Sequence, residues 1–339
     1  MKTKGGIKMS KKTKRVDVHH HITPDFYVKK LASIGITESY GQAFPKWTPE
    51  TSFSFMKKLG IDIAIMSIST PGVYFKDELF SRDLARSCNE YMAEVKMNHP
   101  GKFGGFASIP LPDAKGSLDE IKYALDELKL DGICLMTHYE GKYLGNKEFD
   151  EVFRELNRRK VVVYIHPTDP VGAYDPELGI SNALIEAPFE TTRAVGNLIY
   201  TGITDRYADI QYILSHGGGT IPYLAWRIAL IKYTQENKKT PILKTLYDLL
   251  IKGGPESGLR ILKDMYYDTA VTSGPYALKA LQEFAGPSRI VFGSDFPFAK
   301  VAPIVAKNLR KYFDFSEEEF EEIDNKNCLE LFPHIKNTI

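Results

Sequence analysis

The chain has 339 residues, is 43% hydrophobic and 26% charged, and carries 44 basic against 43 acidic side chains. This balance argues against a nucleic-acid partner, and no run of about 18 apolar residues is present to make a membrane span. Three widely spaced cysteines, Cys88, Cys134 and Cys328, form no CxxC pair or disulfide framework, which suits reduced thiols in a cytoplasm.

In chain order, the basic opening "MKTKGGIKMSKKTK" has no apolar stretch behind it. It predicts a disordered arm over 1–14 rather than a secretory signal, ahead of a single domain over 15–339. Eight short apolar runs follow: "RVDVHHH", "DIAIMSIS", "KFGGFASI", "DGICLMT", "VVVYIHP", "IQYILSH", "MYYDTAV" and "RIVFGSD". Most are continuously apolar, as parallel strands buried on both faces are. Amphipathic stretches lie between them, such as "SLDEIKYALDELKL" before the fourth run and "EFDEVFRELNRRK" before the fifth. The closing "SEEEFEEIDNKNCLELF" begins with Ser316 and Glu319 in capping-box spacing. Eight strand–helix units in about 320 residues predict an α/β fold, a (β/α)8 TIM barrel. Two connections are long, residues 25 to 58 and the Pro/Gly-rich segment after His166. Both follow a strand C-terminus, so both are expected over the active face.

Chemistry-bearing residues stand at the same strand ends. The first strand ends in His19, His20 and His21, the fifth in His166, the sixth in His216 within "SHGGG", and the eighth in Asp295 within "FGSDFP". Five of the eight histidines therefore fall at three strand ends. Side chains alternate along a strand, so His19 and His21 share one side and His20 takes the other, as a packing or supporting residue. His19, His21, His166 and Asp295 offer three nitrogens and one carboxylate, a donor set for one divalent metal with an open position. Zinc is the expected ion and manganese the alternative, since histidine and carboxylate serve both. His216 could move protons beside such a site.

The segments "DVHHHITP", "YIHPT", "SHGGGTIPYLAWRI" and "RIVFGSDFPF" resemble the amidohydrolase superfamily. The likeness is to the branch that holds aminocarboxymuconate-semialdehyde, resorcylate, methylsalicylate and isoorotate decarboxylases, and it runs from Val16 to about Pro333. The resemblance implies the same four metal ligands, His216 as the catalytic imidazole with Asp295 beside it, and a homodimer. In that dimer Arg227, eleven residues after His216, would reach the neighbouring subunit's site and hold a substrate carboxylate. One departure stands out: Ser52 in "WTPETSFSF" falls near a substrate-binding arginine of the aminocarboxymuconate enzymes. This speaks against a second substrate carboxylate. Aromatic residues, with Trp47 and Phe296 foremost, would enclose an apolar ring instead.

The expected activity is non-oxidative decarboxylation of a small aromatic or cyclic unsaturated carboxylic acid, with a 6-methylsalicylate-like ring first in line. The alternative is a single-metal hydrolase of a lactone or amide from the same superfamily. Two-metal members carry a bridging lysine at the end of strand four. The end here, "CLMTHYEG", has no lysine before Lys142, which favours one metal. A metal-free scaffold on the same barrel is the third class, and retention of one equivalent of metal would separate it from the other two.

Overall fold

The computed structural model describes residues 14–171, 179–236, 256–272 and 274–338. Eight strands form the barrel: β1 Val16–His21, β2 Ile63–Ser67, β3 Phe103–Ser108, β4 Gly132–Met136, β5 Val162–His166, β6 Gln211–Leu214, β7 Tyr266–Asp268 and β8 Ile290–Val291. They lie in chain order and every ladder is parallel. Backbone hydrogen bonds close the ring: Val18 N donates to Phe292 O at 3.0 Å, Asp295 N to His19 O at 2.8 Å and His21 N to Phe296 O at 2.6 Å. The last two tie the end of β1 to the segment after β8, so the histidine triplet and Asp295 are stitched together by main chain. This is the (β/α)8 TIM barrel expected from the eight apolar runs.

All six residues of β1 and all five of β2, β4 and β5 are buried, which is why β2, β4 and β5 up to His166 read as continuously apolar. The last two strands are shorter than their apolar runs. At the end of β7 the Asp268 carboxylate accepts from Ala270 N and His216 N at 2.9 and 2.8 Å, turning the chain out of the sheet. After β8 the chain passes close to its neighbours at Gly293, where a Cβ would lie 2.9 Å from the Cβ of His19.

The connection from β1 to β2 carries α1 Asp25–Ser33, a two-stranded hairpin over Glu38–Ala43, and α2 Pro49–Leu59. Thr48 and Thr51 cap α2 reciprocally, Pro49 opens it, and Gly60 ends it with a left-handed φ of 66°. The buried face of α2 includes Ser52 and Met56. Further round lie α3 Glu78–Asn98, α4 Ala114–Lys122, α5 Asp150–Arg158, α6 Glu186–Tyr200 and α7 Ile221–Glu236. The expected helix over 117–130 begins as α4 and widens into a looser turn at Tyr123–Glu127. At the C-terminus Ser316 and Glu319 form the expected capping box.

The chain enters the barrel on Arg15, whose guanidinium bonds Asp324 and the Leu59 carbonyl. Of the basic arm, residues 1–13 lie outside the described residues, as do 172–178 of the segment after His166. Among the described residues no helix is long and apolar enough to cross a membrane. Cys88, Cys134 and Cys328 are buried and unpaired.

Candidate metal centre at the C-terminal mouth of the barrel

The side chains at the ends of β1, β5 and β8 meet at one point. His19 Nε2 lies 2.9 Å from His21 Nε2, which lies 3.2 Å from His166 Nε2. Asp295 Oδ1 stands 3.2 Å from His19 Nε2 and 3.4 Å from His21 Nε2. Metal–donor bonds of about 2.1 Å at angles from right to tetrahedral place neighbouring donors about 3.0–3.4 Å apart. The observed spacing fits that frame. His216 joins from β6, with Nε2 3.7 Å from Asp295 Oδ2. His19, His166, His216 and Asp295 can each place one ligand atom so that all lie within 4.8 Å of one another.

The outer nitrogens show which lone pairs face inward. His19 Nδ1 sits 2.7 Å from Asp268 Oδ2, and His166 Nδ1 sits 2.8 Å from the Pro167 carbonyl. Both partners only accept, so each Nδ1 donates and each Nε2 turns to the centre. His21 Nδ1 is held by Ser67 Oγ at 2.9 Å. Burial lowers His21 to about 4 and takes His166 well below the ordinary imidazole range. Burial also pulls on His19, but the charges of Asp268 and Asp295 outweigh it and carry the ring up to about 10. Against burial, the charge of His19 and hydrogen bonds from His19, His21 and His216 hold Asp295 well below the carboxylate range. The centre thus turns three Nε2 atoms inward, in a field that favours positive charge, where a cation would take the place of the His19 proton. A divalent cation fits that donor set.

Backbone conformation supports the arrangement. His216 and Asp295 both have left-handed φ, 55° and 59°, which is costly for residues with a Cβ and recurs at functional positions. The glycines after His216 are sterically required. A Cβ on Gly218 would come within 2.5 Å of the Tyr267 ring, and one on Gly219 within 2.1 Å of the Pro188 carbonyl oxygen. The turn that presents His216 packs too closely for any side chain. Its Nδ1 is buried without a hydrogen-bond partner among the described residues.

Asp268 went unread in the sequence. Its two oxygens take His19 Nδ1, the Tyr164 hydroxyl, His216 N and Ala270 N, so one carboxylate orients two of the site histidines. The available signal was a single carboxylate in the middle of the seventh apolar run, "MYYDTAV". Asp17, inside β1, has a comparable role: it accepts from His19 N, Ser294 N and Ser294 Oγ, the last at 2.6 Å, bracing the two strands that carry His19 and Asp295.

His20 faces the other way, as alternation requires. Its Nδ1 meets Asp17 at 3.1 Å and its Nε2 meets Ser52 Oγ at 2.8 Å. Trp47 Nε1 donates to the same Ser52 oxygen at 2.9 Å, and the Phe296 ring stacks on His20 at 4.7 Å. The structure therefore seats buried Trp47 and half-buried Phe296 in an aromatic layer behind β1. Two other aromatic rings reach the donor cluster: Tyr164, edge-on to His19 at 5.3 Å, and Phe298, edge-on to His21 at 5.8 Å. Phe53 packs on His99 and Phe103, and Phe26 on Tyr91. Arg227 is exposed on α7.

A family model described as amidohydrolase matches residues 16–333. The chain belongs to the amidohydrolase family. A curated relative, 6-methylsalicylic acid decarboxylase of Penicillium expansum, is 36% identical over 331 residues, covering 96% of this chain and 98% of its own. The 2-amino-3-carboxymuconate-6-semialdehyde decarboxylase of Dictyostelium discoideum is 25% identical over 286 residues, covering 84% and 76%. Among solved structures, 5-carboxyvanillate decarboxylase of Novosphingobium aromaticivorans superposes with a TM-score of 0.79 at 24% identity. That likeness covers 95% of this amidohydrolase and 97% of the other chain, which holds manganese and 3-methoxy-4-hydroxy-5-nitrobenzoic acid.

Proposed function

We propose that this amidohydrolase is a carboxy-lyase that removes CO2 without oxidation from a small aromatic carboxylic acid, with a 6-methylsalicylate-like ring as the first candidate. The observation that carries the reading is the convergence of three imidazole nitrogens and one carboxylate oxygen, linked through contacts of 2.9, 3.2, 3.2 and 3.4 Å at the barrel mouth, in a chain 36% identical to a 6-methylsalicylic acid decarboxylase.

His19, His21, His166 and Asp295 would hold one divalent metal, zinc by preference and manganese as the alternative. When bound, it supplies Lewis acidity and orients the substrate's oxygens. The protein's own groups do the rest. Loss of CO2 leaves an electron pair on a ring carbon, and that carbon must gain a proton as the C–C bond breaks. His216 and Asp295 face each other at 3.7 Å; His216 in its protonated form would deliver that proton, and Asp295, held as the carboxylate, would steady and relay the proton of His216. Asp268 and Ser67 keep His19 and His21 in register, and Phe298 offers a ring edge to the aromatic substrate.

The homodimer belongs to the same proposal. Tyr223, Trp226 and Arg227 share one face of α7, with Tyr223 87% and Trp226 52% exposed. Beside it, at the start of α6, Leu184, Ile185 and Phe189 are exposed. An apolar surface of this size with a cation in it suits an isologous contact. Arg227 would then reach the partner's mouth and hold a substrate carboxylate through a bidentate pair. The unpaired buried cysteines suit a cytoplasmic setting.

The single-metal hydrolase of a lactone or amide is the competing activity. A screen for CO2 release over salicylates, hydroxybenzoates and pyrimidine carboxylates, run on metal-loaded protein, separates the two. Metal-dependent CO2 release from one of them is expected. Hydrolysis of a lactone or amide panel without CO2 release would overturn the reading.

A further inference from the structure

The hairpin in the connection from β1 to β2 pairs Glu38 with Ala43 and Ser39 with Gln42, leaving Tyr40 and Gly41 as a two-residue turn. Both turn residues have positive φ, 52° and 72°. Such turns favour Asn or Gly at the first position, and a tyrosine there is strained. A tyrosine at an exposed hairpin tip would ordinarily put its hydroxyl in water. Here the Tyr40 hydroxyl is buried, and among the described residues it has no hydrogen-bond partner. The turn is tied down from the opposite side: Ser181 Oγ, in the connection after β5, donates to the Tyr40 carbonyl at 2.8 Å.

Burial first, then the negative charges of Asp169, Glu190 and Asp295, push the phenol well above its ordinary range. Geometry ties the turn to the same region: Asn182, next to Ser181, donates to Asp169 Oδ1 at 3.0 Å, three residues after His166, so the hairpin packs against the connection that leaves the metal centre. The Tyr40 hydroxyl keeps its proton and can only be satisfied by an acceptor that the described residues do not supply. Buried polar groups are nearly always paired, so an orphan in a site marks the place of a ligand atom.

We propose that Tyr40 is a substrate-binding residue whose hydroxyl donates a hydrogen bond to an anionic oxygen of an aromatic carboxylate held in the barrel mouth. The inference rests on the decarboxylase reading above and adds a residue from this hairpin to it. The ring closes the mouth and the hydroxyl recognises the charged group, so ring and hydroxyl have separable roles.

Tyr40→Phe separates them, because it keeps the ring and removes only the donor. The probe is 3-methyl-2-nitrophenol, in which an unreactive nitro group stands where 6-methylsalicylate carries its carboxylate, titrated calorimetrically into metal-loaded protein. Tyr40→Phe is expected to bind it about tenfold more weakly and to raise KM for 6-methylsalicylate by a similar factor. Its kcat should change less, and its Tm should be equal or higher, since an unpaired buried hydroxyl has been removed. Equal binding by both proteins, no binding by the wild type, or weaker binding accompanied by a matching loss of Tm would overturn the proposal. Failure of the decarboxylase reading shows separately, as absent CO2 release by the wild type, while the binding arm still scores Tyr40.

Discussion

At the level of single residues, the site is built so that each donor has a fixed outer partner. His19 leans on Asp268, His21 on Ser67 and His166 on the Pro167 carbonyl. Replacing Asp268 by Asn removes the acceptor that fixes the His19 tautomer. Metal affinity is therefore expected to fall about 10–100-fold, read by competition with a chromophoric chelator. Unchanged affinity in a folded variant would mean that the carboxylate only braces the backbone at His216 and Ala270. His216→Asn should keep near-normal metal content and lose about 100-fold or more in kcat, the scale of a missing acid or base. Loss of metal in that variant would recast His216 as a ligand. The histidine triplet was legible in sequence because a strand alternates sides, so the spacing alone separated His19 and His21 from His20. Asp268 was not, since one aspartate in "YYDTA" has no spacing partner to give it away. Trp47 and Phe296 are expected from the sequence around an apolar substrate ring. The aromatic character of a residue does not say which side of β1 its ring takes, and both pack with His20 and Ser52 behind it.

At the level of elements, the eight strands were legible because burial on both faces makes them apolar without alternation. Their ends were less so. β7 and β8 stop early where Asp268 turns the chain and where Gly293 passes His19, and both events depend on distant neighbours. The floor of the barrel depends on one buried carboxylate that the sequence did not single out. Asp131, just before β4, accepts from Gly105 N of β3 at 2.7 Å and from Lys96 of α3 at 2.7 Å, and it holds His334 of the C-terminal turn. Burial raises its pKa, but the His334 hydrogen bond and the charge of Lys96 outweigh this and hold it below the carboxylate range. A depressed folded value means that Asp131 stabilises the fold above its unfolded pKa of about 3.9 and that this contribution is lost as pH falls through the lower folded value. Asp131→Asn should therefore cost about 2 kcal/mol at pH 7, within the range for an unmade buried hydrogen bond to a charged group. Chemical denaturation at pH 7 and near pH 3 checks it: the gap between variant and wild type should narrow in acid, and a gap independent of pH would assign the loss to packing.

At the level of the whole molecule, the proposed dimer would complete each site with a residue from the second barrel. Arg227 is exposed on α7 beside exposed Tyr223 and Trp226, where a second copy can cover it. Mixing Arg227→Ala chains with His216→Ala chains should restore part of the activity, because one site of the heterodimer keeps both residues. No rescue despite proven subunit exchange, or a fully active monomer, would remove Arg227 from the site. The central claim is that four donors at the barrel mouth hold a metal at which an aromatic acid exchanges CO2 for a proton. The most direct measurement is turnover of 6-methylsalicylate by the metal-loaded protein in D2O, with the product analysed by mass spectrometry and NMR. The account predicts 3-methylphenol carrying one deuterium on the carbon that lost its carboxyl group, in equal amount to the CO2 released, and none of either after the metal is removed. Undiminished turnover by metal-free protein, or a product that keeps its carboxylate while another bond is hydrolysed, would contradict it.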